Sequence, residues 1–109
     1  MKGDIVFVRF PYTDLSINKP RPALVLHEER DEVVLAYISS RVPLIPSGTD
    51  VLVLRKEPYF GATGLKRDSV IKLSVLTTLK NWFIEGLFGE ADETLRLEIN
   101  AKLASCYRI

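Results

Sequence analysis

The chain has 109 residues, 47% of them hydrophobic, which suffices for one compact domain and is too short for two ordinary ones. A single cysteine, Cys106, and a single histidine, His27, exclude an intrachain disulfide, a cysteine metal cluster and a nuclease mechanism that needs two histidines. The formal net charge of +1 leaves nucleic-acid binding to local clustering of the cations, and no uninterrupted apolar run is long enough to cross a bilayer.

Met1-Lys2-Gly3-Asp4 offers no apolar signal core before its first acid, which with the lone cysteine points to a reducing, cytosolic setting. Asp4 to Phe10 is β-branched and aromatic, nearly continuous and too short for a typical helix, so it predicts a strand that Pro11 stops. Residues 11–22 hold Pro11, Pro20 and Pro22 with Asp14, Ser16 and Asn18, a loop of the length that often carries function. Ala23 to His27 predicts the second strand, Glu28 to Asp31 a charged turn and Glu32 to Ser39 the third strand, together an antiparallel hairpin.

Ser40 to Gly48, with Pro43 and Pro46, reads as a second long loop, and Asp50 to Arg55 as a fourth strand. Glu57 to Asp68 carries Pro58, Gly61 and Gly64 and reads as turn. Val70 to Leu79 places Ile71, Leu73, Val75 and Leu79 at odd positions, a fifth strand either whole or broken in its middle. Asn81 to Gly86 predicts a short helical turn or a bend, and Gly89 closes the β-rich part. From Ala91 the period changes. Leu95, Ile99, Leu103 and Cys106 mark one face of a helix, with Glu90, Asp92 and Glu93 at its start and Lys102 and Arg108 toward its end. Several short strands and one terminal helix predict a mainly β fold, a small barrel with a helix packed on it.

Two stretches carry candidate chemistry. In Lys19-Pro20-Arg21-Pro22, the prolines restrict the backbone on both sides of a cation at the mouth of a strand. Ser39-Ser40-Arg41 ends the third strand. Taken singly they read as a solvated arginine and ordinary strand-end hydroxyls. An antiparallel hairpin, however, sets the start of one strand beside the end of the other, so it brings Arg21 and Ser39 to the same edge of the sheet. His27, near a strand end, reads as structural. The acids show no recognisable metal spacing, the glycines form no phosphate-binding fingerprint, and no Gly-x-Ser-x-Gly elbow is present.

Gly3-Asp4-Ile5-Val6, Phe10-Pro11-Tyr12-Thr13-Asp14, Arg21-Pro22-Ala23-Leu24-Val25-Leu26 and Ile38-Ser39-Ser40, in that order, resemble the MazF/PemK toxins of type II toxin–antitoxin systems. Ile71-Lys72-Leu73, Leu76-Thr77 and Gly86-Leu87-x-Gly89 extend the resemblance over nearly the whole chain. It implies an SH3-like or CcdB/MazF-type barrel, a homodimer, a cognate antitoxin as partner, and an endoribonuclease that cleaves single-stranded RNA without a metal or other cofactor. The family's catalytic arginine carries over onto Arg21 and its catalytic threonine onto Ser39, where this chain keeps the hydroxyl and loses the methyl that stiffens χ1. Arg41 stands where glutamine is common. Lys19, Ser40, Arg41, Lys66 and Arg67 become candidate RNA contacts, with Tyr12 and Tyr59 as candidates for stacking on a base. Two alternatives stay open: a CcdB-like gyrase poison, although such toxins act through C-terminal residues that include a tryptophan and this chain ends Cys106-Tyr107-Arg108-Ile109, and a barrel that binds RNA or antitoxin without cleaving.

Overall fold

The computed structural model describes residues 1–10 and 19–109; Tyr12 lies outside them. Six strands and two helices follow in the order β1 (Asp4–Val8), β2 (Arg21–Glu29), β3 (Glu32–Ser39), β4 (Asp50–Val53), α1 (Phe60–Thr63), β5 (Ser69–Lys80), β6 (Ile84–Glu90) and α2 (Glu93–Cys106), with a 3₁₀ turn at Asn81–Phe83 between β5 and β6. All neighbouring strands pair antiparallel, in the order β4-β5-β3-β2-β1-β6.

The near-continuous apolar runs of β1, β2 and β3 reflect a sheet buried on both faces. Ile5, Leu24, Ala36, Ile38, Ile71 and Leu73 point into one cluster, which Leu95 and Ile99 of α2 cover. Val6, Val8, Ala23, Val25, Val33 and Leu35 point into the other. Strands that alternate between two cores carry no polar face, which is why their sequences lack the in–out pattern of a half-exposed sheet.

The sheet bends far enough to act as a small barrel without closing. Val51 and Val53 of β4 and Phe88 of β6, from opposite edges of the strand order, border the same cluster, and α1 packs directly on β6. Two glycines permit that approach. Gly64 has φ 73°, and a Cβ there would lie 2.0 Å from the Phe88 carbonyl oxygen; a Cβ on Gly89 would lie 2.2 Å from that of Ala62. Bulges supply the bending: Leu26 is skipped between the Val25–Leu35 and His27–Val34 pairs, and three residues of β5 are skipped between the Tyr37–Lys72 and Ala36–Leu76 pairs.

The hairpin β2–β3 turns through Arg30, whose φ of 55° is left-handed. The helix α2 starts where Asp92 accepts a hydrogen bond from the Leu95 amide at 2.9 Å, an N-cap directly after the change of period at Ala91. Its end is tied down by the Tyr107 hydroxyl, which donates to the Leu73 carbonyl, and by the Cys106 thiol, 3.2 Å from the Gly48 carbonyl.

Several expectations shift. The first strand stops at Val8 rather than Phe10, the second runs from Arg21 to Glu29, and the fourth ends at Val53 rather than Arg55. The turn-like stretch 57–68 holds the one-turn helix α1. The short helical turn expected in 81–86 is the 3₁₀ turn at Asn81–Phe83, but it is followed by an unexpected sixth, edge strand, β6, obscured because two glycines interrupt it and none of its residues is fully buried. Among the described residues, no helix is long and apolar enough to cross a membrane.

Candidate functional site

Arg21 opens β2, where it pairs with Val8 of β1. The ladder between β2 and β3 ends at Ala23 opposite Tyr37. One further pleat along both strands sets Arg21 opposite Ser39, and the two-residue side-chain period puts both on one face. The pair lines a groove of about 620 Å³ at this end of the sheet, with Pro22, Tyr37, Ser40 and Arg41 from the same two strands and the loop that follows.

The opposite bank comes from the segment between α1 and β5. Leu65, Lys66, Arg67 and Ser69 line the groove there, joined by Phe88 of β6. Local chemistry holds this bank in shape. The Thr63 hydroxyl donates to the Phe60 carbonyl at 2.6 Å and accepts from the Leu65 amide at 3.2 Å, while Gly64 takes the left-handed cap. The Ser69 hydroxyl donates to the Arg67 carbonyl at 2.9 Å, and the Asp68 carboxylate accepts from the Arg55 amide at 2.7 Å.

Arg21, Arg41, Lys66 and Arg67 are thus four cations around one concavity, and among the described residues no carboxylate lines it. Carboxylates that pair with cations do so elsewhere: Arg9 donates to Glu85 at 2.6 Å, Lys80 to Asp31 at 3.2 Å, and Lys72 to the buried Asp50 at 3.3 Å. The arrangement favours a polyanion with phosphate groups. Ser39 is half-buried, and its Oγ accepts a hydrogen bond from the Arg41 amide at 3.1 Å. That contact occupies a lone pair and leaves the O–H as a donor toward a bound group.

Of the residues singled out from the sequence, the groove brings together Arg21, Ser39, Ser40, Arg41, Lys66 and Arg67. Lys19 is exposed and does not line it. Tyr59 is corrected: it is 7% exposed, belongs to the core under α2, and its hydroxyl donates to the Leu52 carbonyl at 3.3 Å, so it presents no face for stacking. Tyr12 falls outside the described residues. His27 is half-exposed beside Glu29 and away from the groove. Sequence reasoning missed Tyr37, Leu65 and Phe88. The signal for Phe88 was slight, an aromatic between two glycines of the 86–89 segment.

A family model described as "PemK-like, MazF-like toxin of type II toxin-antitoxin system" matches residues 1–107. Among solved structures, the chain is similar to the Mycobacterium tuberculosis toxin MazF-mt6, with TM-score 0.73 and 18% identity over 97% of each chain. It is similar to an endoribonuclease solved in complex with its cognate antitoxin from a mycobacterial species, with TM-score 0.73 and 16% identity over 98% of this chain and 93% of that one. MazF from Deinococcus radiodurans gives TM-score 0.70 and 19% identity over 99% and 96%. At these identities the structural likeness establishes the fold. No curated protein sequence matches the chain.

Proposed function

The chain belongs to the family of PemK-like, MazF-like toxins of type II toxin–antitoxin systems, and from that premise we propose that it is an endoribonuclease that cleaves single-stranded RNA in the Arg21–Ser39 groove. The observation that carries this reading is the juxtaposition of a guanidinium and a hydroxyl at one end of a groove bordered by three further cations and, among its described residues, by no carboxylate.

In the proposed reaction the ribose 2′-hydroxyl of the substrate attacks the adjacent phosphorus. The O2′–H and P–O5′ bonds break, and the proton lost from the 2′-oxygen is balanced by the one the 5′-oxygen gains, exchanged through solvent, leaving a 2′,3′-cyclic phosphate and a 5′-hydroxyl on the departing strand. The nucleophile belongs to the RNA, so the protein needs neither a nucleophile nor a metal-bound water. Arg21 clamps two phosphate oxygens with its planar fork and stabilises the charge that grows there, a contribution of roughly 3 to 4 kcal/mol for one such donor. A guanidinium does not give up its proton near neutral pH, so Arg21 acts as a charge stabiliser. Ser39, already accepting from the Arg41 amide, donates to the phosphate or the 2′-oxygen and holds them in line. Ser40, Arg41, Lys66 and Arg67 bind flanking phosphates.

The family implies a small antitoxin whose flexible tail orders on this basic surface, and the mycobacterial endoribonuclease solved with its cognate antitoxin is a precedent in fold. Homodimerisation and a cytoplasmic site of action are part of the same proposal. The test is incubation of purified protein with a long single-stranded RNA in EDTA. Fragments with 2′,3′-cyclic phosphate ends are expected, and none from an Arg21→Ala variant that melts like the parent. A folded Arg21→Ala protein cutting at the parent's rate would sink the assignment. Retarded but intact RNA would mark a binder, and intact RNA with inhibited gyrase would mark a poison.

A further inference from the structure

We propose that Phe88, with Leu65 and Pro22, forms a nucleobase subsite in the groove, taking one base next to the phosphate held at Arg21. This rests on the RNA-cleaving reading of the same groove and deepens it.

The groove is chemically mixed. Cations stand on both banks, Arg21 and Arg41 on one and Lys66 and Arg67 on the other, and Pro22, Leu65 and Phe88, all half-buried, add apolar surface to the same lining. A track that held only a sugar–phosphate backbone would need no apolar wall. A nucleotide needs both, because it joins an anion to a flat apolar ring through a ribose. The volume, about 620 Å³, also exceeds what a phosphate fills and lies in the range of sites that enclose small organic ligands, roughly 300 to 1,000 Å³. Pro22 directly follows Arg21 on β2, so the strand's alternation turns the cation and the proline to opposite sides of the sheet edge. A nucleotide draped over that edge sets phosphate on one side and base on the other.

The apolar wall is also rigid, which lowers the entropic cost of binding. Phe7 pairs with Pro22 across β1 and β2, and its ring lies 3.8 Å from that of Phe88, centroid to centroid, tilted by 50°. Behind Phe88, the seam at Gly64 and Gly89 clamps the β6 backbone against α1 and the turn that leads to Leu65. An aromatic so fixed is a preformed stacking platform, and stacking on it tolerates any base unless edge groups add selectivity.

The experiment uses the full chain. The parent's cut sites in a long single-stranded RNA are mapped, and a short oligonucleotide bearing one such site is then made with a single abasic residue at each position flanking the cut in turn. At one position the abasic residue should lower kcat/KM of the parent roughly 5- to 150-fold, the value of one stacked base. Phe88→Leu, which keeps apolar volume but not the ring, should lose most of that sensitivity, and Phe88→Tyr should restore it. A purely structural Phe88 would change melting temperature in Phe88→Leu while leaving the abasic penalty as in the parent, and that result overturns the subsite. Should the parent leave every RNA intact, the nuclease reading itself falls and the subsite with it.

Discussion

The Oγ of Ser39 accepts a hydrogen bond from the backbone amide of Arg41, 3.1 Å away. Threonine at such a position is held by the methyl on its Cβ; serine has no methyl, and here the neighbouring amide fixes the hydroxyl instead. Ser39→Thr is therefore expected to change the cleavage rate little. Ser39→Ala removes a donor to an anionic group, worth about 1.5 to 3 kcal/mol, and should lower kcat roughly 10- to 100-fold. Single-turnover cleavage of one defined oligonucleotide checks both. Equal losses in the two variants would remove the positioning role.

Arg21 tests the difference between charge and geometry. Arg21→Lys keeps the cation but loses the fork that meets two phosphate oxygens, so cleavage should drop roughly 10- to 100-fold while RNA affinity falls far less. Because Arg21 is half-exposed at a strand start, its stability effect should stay within about 0.5 kcal/mol by urea titration.

The cations divide by position. Arg41, Lys66 and Arg67 line the groove and Lys19 does not. In the Arg21→Ala background, replacing any of the first three by alanine should flatten the plot of log affinity for single-stranded RNA against log salt by about 0.7, one phosphate's share. Lys19→Ala should leave that slope where it was. Fluorescence anisotropy at several salt concentrations distinguishes them.

What could be seen in the sequence was local or needed only one pairing. β3 stands where its apolar run predicts it, and the edge shared by Arg21 and Ser39 follows from one hairpin. Leu95 and Ile99 declare the helix because they are buried at its own period. Lys66 and Arg67 on the groove's other bank were legible as cations, but its apolar part was hidden because Leu65 and Phe88 come to one groove only after the sheet bends its edges together. β6 was hidden because an edge strand with glycines and no buried side chain carries no alternation. Tyr59 misled for a related reason: in a glycine- and proline-rich stretch it reads as a loop aromatic, but the one-turn helix α1 begins beside it and the ring enters the core.

The glycine seam predicts unequal damage. A Cβ at Gly64 meets the Phe88 carbonyl and must also hold a left-handed backbone; these cost about 1 to 3 kcal/mol for overpacking and about 1 to 2 kcal/mol for the conformation. At Gly89 only the clash with backbone atoms applies. Gly64→Ala should therefore be the less stable variant by thermal and urea unfolding. Gly61→Ala, whose added Cβ meets nothing within 4 Å, is the neutral control.

Acid should loosen the fold through Asp50. Its carboxylate is 3% exposed, accepts from the Ser47 amide at 2.9 Å and pairs with Lys72 at 3.3 Å across β4 and β5. The Ser47 amide holds the carboxyl below its ordinary range, outweighing the burial that pushes it up, and Lys72 adds to the lowering. A folded value below the unfolded one means that Asp50 contributes stability above the ordinary carboxylate pKa and that this is lost as pH falls through the folded value. Glu85 is shifted the same way by Arg9, but on the exposed surface that pair is screened and adds little. Urea unfolding should show stability falling below about pH 4, the usual carboxylate range. Asp50→Asn keeps an acceptor for the Ser47 amide and loses the pairing with Lys72, itself a third exposed, so at pH 7 it should cost about 1 to 2 kcal/mol, below the range for a fully buried pair. Its stability should then fall less steeply in acid than the parent's. A parallel decline in both proteins would assign the acid sensitivity to other carboxylates.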